Sequence, residues 1–225
     1  MSFGFRIAHR HRKIDTALVK RFRSLPVANV SDSMSRMTAA GPRLRPMHKG
    51  GPMAGPALTV KVRPGDNLML HRALDLAELG DVIVVDAGGD LTTAIMGDLM
   101  LAHAKQRGVA GLVINGAVRD VDSIRTQDLP LYAAGVTHRG PYKDGPGEIN
   151  LPIAFDGLVV EPGDLVLGDA DGVLSVPFDA VPVVLAAAEA KKAADEREMA
   201  AIPAGISDRS WVLRTLESRG CEIEE

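Results

Sequence analysis

The chain has 225 residues and a single cysteine, Cys221, close to its end. One thiol closes no internal disulfide and builds no cysteine-rich zinc site, so a disulfide-stapled scaffold is excluded and a reducing cytoplasm fits. Charge imbalance is also lacking. The net charge is −3, which gives no global bias toward polyanions, so nucleic acid is not an expected partner. No apolar run is long enough to span a membrane: "AVPVVLAAA" is short and contains Pro182. The opening "MSFGFRIAHRHRK" is basic but has no apolar stretch of the signal-peptide kind. The Gly-rich run "DAGGD" has neither the dinucleotide glycine pattern nor a phosphate-loop lysine. His71, His103 and His138 show no paired metal spacing, and the first two fall in helical runs, where they read as packing or surface residues.

What is present is a chain 46% hydrophobic, enough for one large domain with a real core. No linker separates domains. The expectation is one mixed α/β domain over residues 1–177 and a helical extension over 178–225. Residues 1–49 hold eleven Lys/Arg against two acids, Asp15 and Asp32. Such a basic arm could touch nucleic acid or an anionic partner, but it reads first as a solvated face or a subunit contact.

Helical spacing at Ile14, Leu18, Phe22 and Leu25 predicts a helix, with Ser31 or Asp32 as caps for a second one. Residues 40–56 read as loop, "ALTVKV" (57–62) as a strand, and "LMLHRALDLA" as a helix. "DVIVVDA" (81–87) and "GLVIN" (111–115) are short apolar runs of the kind buried on both faces, with a helix between them over 97–108. This order predicts a parallel β-α-β core. "LPLYAAG" (129–135) adds a short strand. Beyond residue 150 the pattern is strand and turn, punctuated by "EPGD" and "DADG". "RPGDNLML" near residue 63 resembles "EPGDLVLG" near 161, as a recurring turn does. A polar, Ala-rich helix over 178–200 and a short one around Trp211 to Leu216 end the chain.

In a parallel β-α-β unit both loops after the strands emerge at one sheet edge, where ligands of open α/β sheets bind. "DAGGDLTTAIMGD" leaves the first strand and "GAVRD", read as a turn, leaves the second. Asp98 and the pair Arg119–Asp120 should therefore approach. Asp98 opens a helix, where a carboxylate is favoured, and the amides of Leu99 and Met100 are free to hold an oxyanion. Arg119 is a fork suited to a substrate carboxylate. Asp120 is a hard oxygen ligand suited to Mg²⁺ or Mn²⁺. Together these parts would bind a small 2-oxo acid, chelate it and stabilise its enolate. A structural Arg–Asp pair closing a loop and a plain helix cap at Asp98 are the alternative readings of the same residues.

"GDLMLAHAKQRGVAGLVINGAVRD" resembles the 4-hydroxy-4-methyl-2-oxoglutarate / 4-carboxy-4-hydroxy-2-oxoadipate aldolase family, which also contains the regulator of ribonuclease E activity A. The shared pattern is Asp, twenty residues, then Arg-Asp, met by Asp98, Arg119 and Asp120 without a gap. "GDNLMLHRALDLAELGDVIVVDAGG" and "VEPGDLVLGDADGVLSVP" extend the likeness over roughly Val27 to Gly205. The resemblance implies a swivelling β/β/α domain, assembled as a trimer or hexamer with the active site between subunits. It implies a class II aldolase that cleaves 4-hydroxy-2-oxo acids to pyruvate and also decarboxylates oxaloacetate. It further implies that Asp120 ligates the metal directly and that Asp98 acts through water. Arg119 and the amides of Leu99 and Met100 would bind the pyruvyl group, with Lys143 near the site. Glu196, or its rival Asp195, would complete the metal's water shell from the C-terminal helix of a neighbouring subunit. None of the three motif residues Asp98, Arg119 and Asp120 is a lysine, and a metal-dependent aldolase requires no Schiff base.

This chain has Asn115 where several members carry Asp, and Ser123, beside Asp122, at a position often acidic. A non-catalytic regulator that binds a ribonuclease is the alternative; the charged C-terminal helix with Asp195, Glu196 and Glu198 favours the enzyme. A methyltransferase, a label sometimes attached to such sequences, has no nucleoside-binding glycine loop to support it.

Overall fold

The computed structural model describes residues 3–224. An edge strand, β1 (Phe5–Ile7), is followed by α1 (Thr16–Arg23), α2 (Val27–Ser33), β2 (Arg45–Pro46) and the long β3 (Met53–Val62). Then come α3 (Leu68–Leu76), β4 (Val82–Asp86), β5 (Ala94–Met96), α4 (Asp98–Gln106), β6 (Gly111–Val118), α5 (Val121–Ile124), β7 (Leu131–Val136) and β8 (Gly147–Ile149). Two hairpins, β9 (Ile153–Phe155) with β10 (Leu158–Val160) and β11 (Leu165–Gly168) with β12 (Val173–Val176), precede α6 (Val181–Ala201) and α7 (Ser210–Ser218).

The main sheet runs β1-β8-β3-β4-β6-β7-β2. Its centre, β3-β4-β6-β7, is parallel throughout, and β8 pairs antiparallel with β3. β4 and β6 are buried at every position because both sheet faces are covered. Leu70, Ala73 and Leu101 of α3 and α4 pack on one face with Val60, Ile83 and Ile114. Phe155 and Leu158 close over Val82, Val84, Val113 and Tyr132 on the other. The first half of β3 turns away to pair with β11, which links the sheet to a second layer of α1, α2 and α6. Val181, Val184, Leu185 and Ala188 of α6 share that layer's core with Phe22 and Leu174. Packing therefore continues past residue 177 into the first half of α6, while the later part of α6 and all of α7 have no buried residues.

Several local expectations change. Ser31 and Asp32 lie inside α2 and cap nothing; the Val27 amide at its start instead donates to Asp169 Oδ2, brought from the β11–β12 turn. The stretch read as loop contains β2 and the start of β3. Its Gly55 is required there, because a Cβ would meet the Gly80 carbonyl oxygen at 2.3 Å. "GAV" of "GAVRD" is not a turn but the end of β6. The "PGD" pair is a recurring turn: Asp66 N–H and Asp164 N–H each close back on the carbonyl three residues earlier, with Gly65 and Gly163 at positive φ. One turn feeds a helix and the other a strand, so it is not a repeat.

The basic N-terminal arm is a strap within its own chain. Arg6 pairs with Glu148 at 3.1 Å and Lys13 with Glu78 at 2.7 Å, while Arg12 contacts Glu161 and Asp164. Arg10 grips Asp81 with two bonds of 2.8 and 3.0 Å, its side chain 7% exposed and that of Asp81 fully buried. Removing one partner of such a pair strands a buried charge. Arg10→Ala is therefore expected to cost about 3–5 kcal/mol in urea unfolding, against less than about 1 kcal/mol for Arg6→Ala at the half-exposed edge pair. Equal effects would show that burial of the Arg10–Asp81 pair does not matter.

Candidate active site

β4 and β6 are parallel neighbours, so the segments leaving them start at one sheet edge. A further device joins them. The chain leaving β4 turns at Gly88 and Gly89, both at positive φ, and forms β5, which pairs with the end of β6 through Ala94–Ala117 and Met96–Val118. The Arg119 amide extends this ladder by donating to the Met96 carbonyl at 2.9 Å. Gly97 and α4 follow at once. Asp98, the first helical residue, therefore lies against Asp120, and its amide donates to Asp120 Oδ2 at 3.1 Å. Gly97, and not Asp98, holds the N-cap position, so the plain capping role does not apply.

Asp120 has φ +59 and ends β6 in the left-handed region, which Asp tolerates better than most residues. This turn faces its carboxylate toward α4. Arg119 Nε lies 3.7 Å from the same Oδ2, and both side chains are partly exposed. The amides of Leu99 and Met100, in the first turn of α4, have no carbonyl within the helix to bond. With Arg119, Asp120, Asp98 and Lys143 they line one cavity of about 150 Å³. The loop that carries Lys143 is tied down just after it by Asp66, whose buried carboxylate accepts the amides of Leu68, Asp144 and Gly145 at 2.7–2.9 Å. Burial pushes the Asp66 carboxyl up, but those three amides and Arg63 outweigh it and hold it below its ordinary range.

Two further residues line the cavity, Asn67 and His71, one turn apart at the start of α3. Helical spacing assigned His71 to packing or surface; the i, i+4 interval from Asn67 was the available signal. Burial, then the nearby charges of Lys143 and His103, lower the imidazole pKa. Asn115 is buried on β6 and donates to Asp86 Oδ1 of β4 at 3.0 Å, a place where a second carboxylate would lack that donor.

The C-terminal helix acids do not reach this cavity within the chain. Asp195 accepts from Asn29 Nδ2 and Lys191 Nζ, both at 2.7 Å, so its carboxylate is engaged locally. Glu196 is exposed and has only Lys192 beside it, at 3.4 Å. Among the described residues no group of three or more His, Cys, Asp or Glu is placed to hold a metal.

A family model described as RraA-like, Aldolase/RraA, matches residues 27–175. The chain belongs to the RraA-like family. A Halalkalibacterium halodurans protein provisionally named 4-hydroxy-4-methyl-2-oxoglutarate aldolase is 41% identical over 197 residues, 87% of this chain and 91% of that one. A Thermus thermophilus 4-hydroxy-4-methyl-2-oxoglutarate aldolase is 37% identical over 124 residues, 55% of this chain and 75% of its own. Among solved structures, Streptomyces coelicolor RraAS2, described as an unusual member of the RNase ES inhibitor RraA protein family, superposes with a TM-score of 0.75. Its identity is 26%, over 82% of this chain and 96% of its own. The span matched by the RraA-like model contains Asp98, Arg119, Asp120 and Lys143; α6 and Glu196 lie beyond it.

Proposed function

We propose that this RraA-like chain is a divalent-metal-dependent carbon–carbon lyase. It cleaves 4-hydroxy-2-oxo acids such as 4-hydroxy-4-methyl-2-oxoglutarate to pyruvate and a second oxo acid, and it decarboxylates oxaloacetate. The observation that carries the reading is the clasp of Asp120 by the Asp98 amide, beside Arg119 and the free amides of α4, on one cavity.

The residues fit Mg²⁺ or Mn²⁺. One or two carboxylates, several waters and a chelating substrate satisfy such an ion, and a closed protein cage is not needed. Asp120 would be the direct ligand, with Asp98 acting through water. When bound, the ion supplies an electron sink for the charge that develops on the 2-oxo oxygen. The chain's own groups do the rest. The amides of Leu99 and Met100 receive the carboxylate at a helix N-terminus. The Arg119 fork holds the pyruvyl group in line through paired N–H donors. Lys143 offers a second cation at the cavity mouth. Both reactions leave the enolate of pyruvate, so one site serves both.

Glu196 from a neighbouring copy completes the site in a homotrimer or homohexamer; its exposed carboxylate meets Lys192 alone, at 3.4 Å among the described residues, whereas that of Asp195 is engaged by both Asn29 and Lys191. No helix among the described residues is long and apolar enough to cross a membrane. The proposed compartment is the cytoplasm, where the exposed Cys221 stays reduced.

The test is pyruvate release from oxaloacetate and from 4-hydroxy-4-methyl-2-oxoglutarate, with Mg²⁺ or Mn²⁺ and then with excess chelator. Release that stops on chelation is expected. Release indifferent to chelator would sink the metal's role. No release from either acid would favour the second reading, a ribonuclease-binding regulator, which the likeness to RraAS2 supports.

A further inference from the structure

A second cavity, of about 240 Å³, adjoins the one described above, and Asp98 and Leu99 line both. It runs along one face of α4. Asp98, Leu101, Ala102 and Lys105 stand at i, i+3, i+4 and i+7, which is a single stripe of a helix. Ser123 of α5, with Gln127 and Leu129 of the chain that follows, lines it too. Leu101 and Leu129 are buried and give it an apolar floor.

Its two charged groups are Asp98, engaged at the proposed metal, and Lys105. Seven residues separate them, about 10 Å along the helix axis. Helical side chains lean toward the helix N-terminus, so the four-carbon stem of Lys105 carries its ammonium back toward the Asp98 end. Lys105 is exposed, and among the described residues no acid other than Asp98 lines this cavity. Ser123 and Gln127 add neutral hydrogen-bonding groups and no opposing charge. The arrangement is a cation above an apolar floor, next to a helix start that already receives a carboxylate.

We infer that Lys105 binds the far carboxylate of a dicarboxylic 2-oxo acid whose pyruvyl end lies in the first cavity. The inference rests on the proposed function and narrows its substrate class to dianions. The first cavity, of about 150 Å³, is small for an ion, its waters and a whole diacid, so the part of the substrate beyond C3 needs the adjoining room. The apolar floor suits the carbons between the two carboxylates. Lys143, the rival cation, lines the first cavity and not the second, which leaves it at the pyruvyl end. Lys105 is thus a specificity-determining residue and takes no part in bond breaking.

The experiment compares 2-oxoglutarate with 2-oxopentanoate, the same five-carbon chain ending in a methyl group. Neither has the 4-hydroxyl or the carboxylate on C3 that the proposed reactions need, so both report binding alone. Each is titrated by calorimetry with Mg²⁺ and tested as an inhibitor of oxaloacetate decarboxylation. Wild type is expected to bind 2-oxoglutarate about tenfold more tightly, the scale of one charge-assisted hydrogen bond. Lys105→Met should abolish that preference and leave 2-oxopentanoate binding within about twofold, since a substitution at an exposed helix position spares the fold. Ser123→Asp should also reduce the preference, by giving Lys105 an internal partner. Equal wild-type affinities, a preference that survives in Lys105→Met, or a preference lost in Lys143→Met instead would each overturn the inference. So would a Lys105→Met protein with an altered oligomer size and an intact preference, which would make Lys105 a subunit contact. A wild type that shows the preference but releases no pyruvate overturns the proposed function and leaves the dianion subsite standing. A wild type that binds neither acid overturns the subsite.

Discussion

Asp120→Asn is expected to give a folded protein whose metal-dependent turnover is down by about a thousandfold or more, the scale of losing several kcal/mol of charge stabilisation. The substitution is chosen for its backbone. Asp120 sits at φ +59, where Asn is also at ease, so it adds no strain that alanine would bring. The Asn carbonyl can still accept from the Asp98 amide, so the clasp between the loops survives. What disappears is the charge. A near-normal rate for this variant, with unchanged metal dependence, would remove Asp120 from the centre of the proposal. The same variant also tests the shared site. Mixed with Glu196→Gln subunits, it should regain some turnover, because some sites then combine an intact Asp120 with an intact Glu196 from different chains. No regain in verified mixed oligomers would place Glu196 outside the site.

Gly97→Ala is expected to be nearly as damaging while removing no functional group. A Cβ on Gly97 would come within 2.3 Å of Asp120 Oδ2 and 3.1 Å of Arg119 Cγ. The backbone itself tolerates alanine, since φ is −148. The added methyl must therefore displace the Asp120 carboxylate or the Arg119 side chain. A shift of about an ångström at such a site can cost a hundredfold in rate, so turnover should fall by that order. Stability should change by under about 1 kcal/mol, because both displaced side chains reach solvent. A fully active Gly97→Ala would show that the carboxylate's place against α4 is immaterial. A gross loss of stability would instead make Gly97 a packing residue.

Much of the scaffold can be read from local pattern. The apolar runs at 82–86 and 111–115 mark strands buried on both faces, and the helical run between them forces a return to the same edge. That argument alone brings Asp98 near Arg119 and Asp120. Glycine and proline punctuation marks the turns of the β9–β12 region equally well, because turn chemistry is a property of a few adjacent residues.

Other features depend on partners distant in sequence. β5 has three residues and no pattern of its own; it is a strand because the end of β6 is there to pair with it. The start of α2 has no side-chain cap of its own, and Asp169 supplies its acceptor from another hairpin. The composition of the basic arm reads as a solvated face or a subunit contact, because its acids, Asp81, Glu148 and Glu161, come opposite it only in the fold. Asn67 and His71 join the cavity only because α3 docks against the loop that Asp66 ties down.

By itself, then, the sequence determined the parallel core, the order of its elements and the carboxylate–arginine constellation at one edge. These follow from hydrophobic periodicity and from residue types set at fixed intervals. Only the tertiary structure decided how that edge is closed: the β5–β6 ladder and the Asp98–Asp120 clasp. Both are hydrogen-bonded pairings between residues far apart in the chain, and such pairings depend on how whole layers pack rather than on any local run of residues.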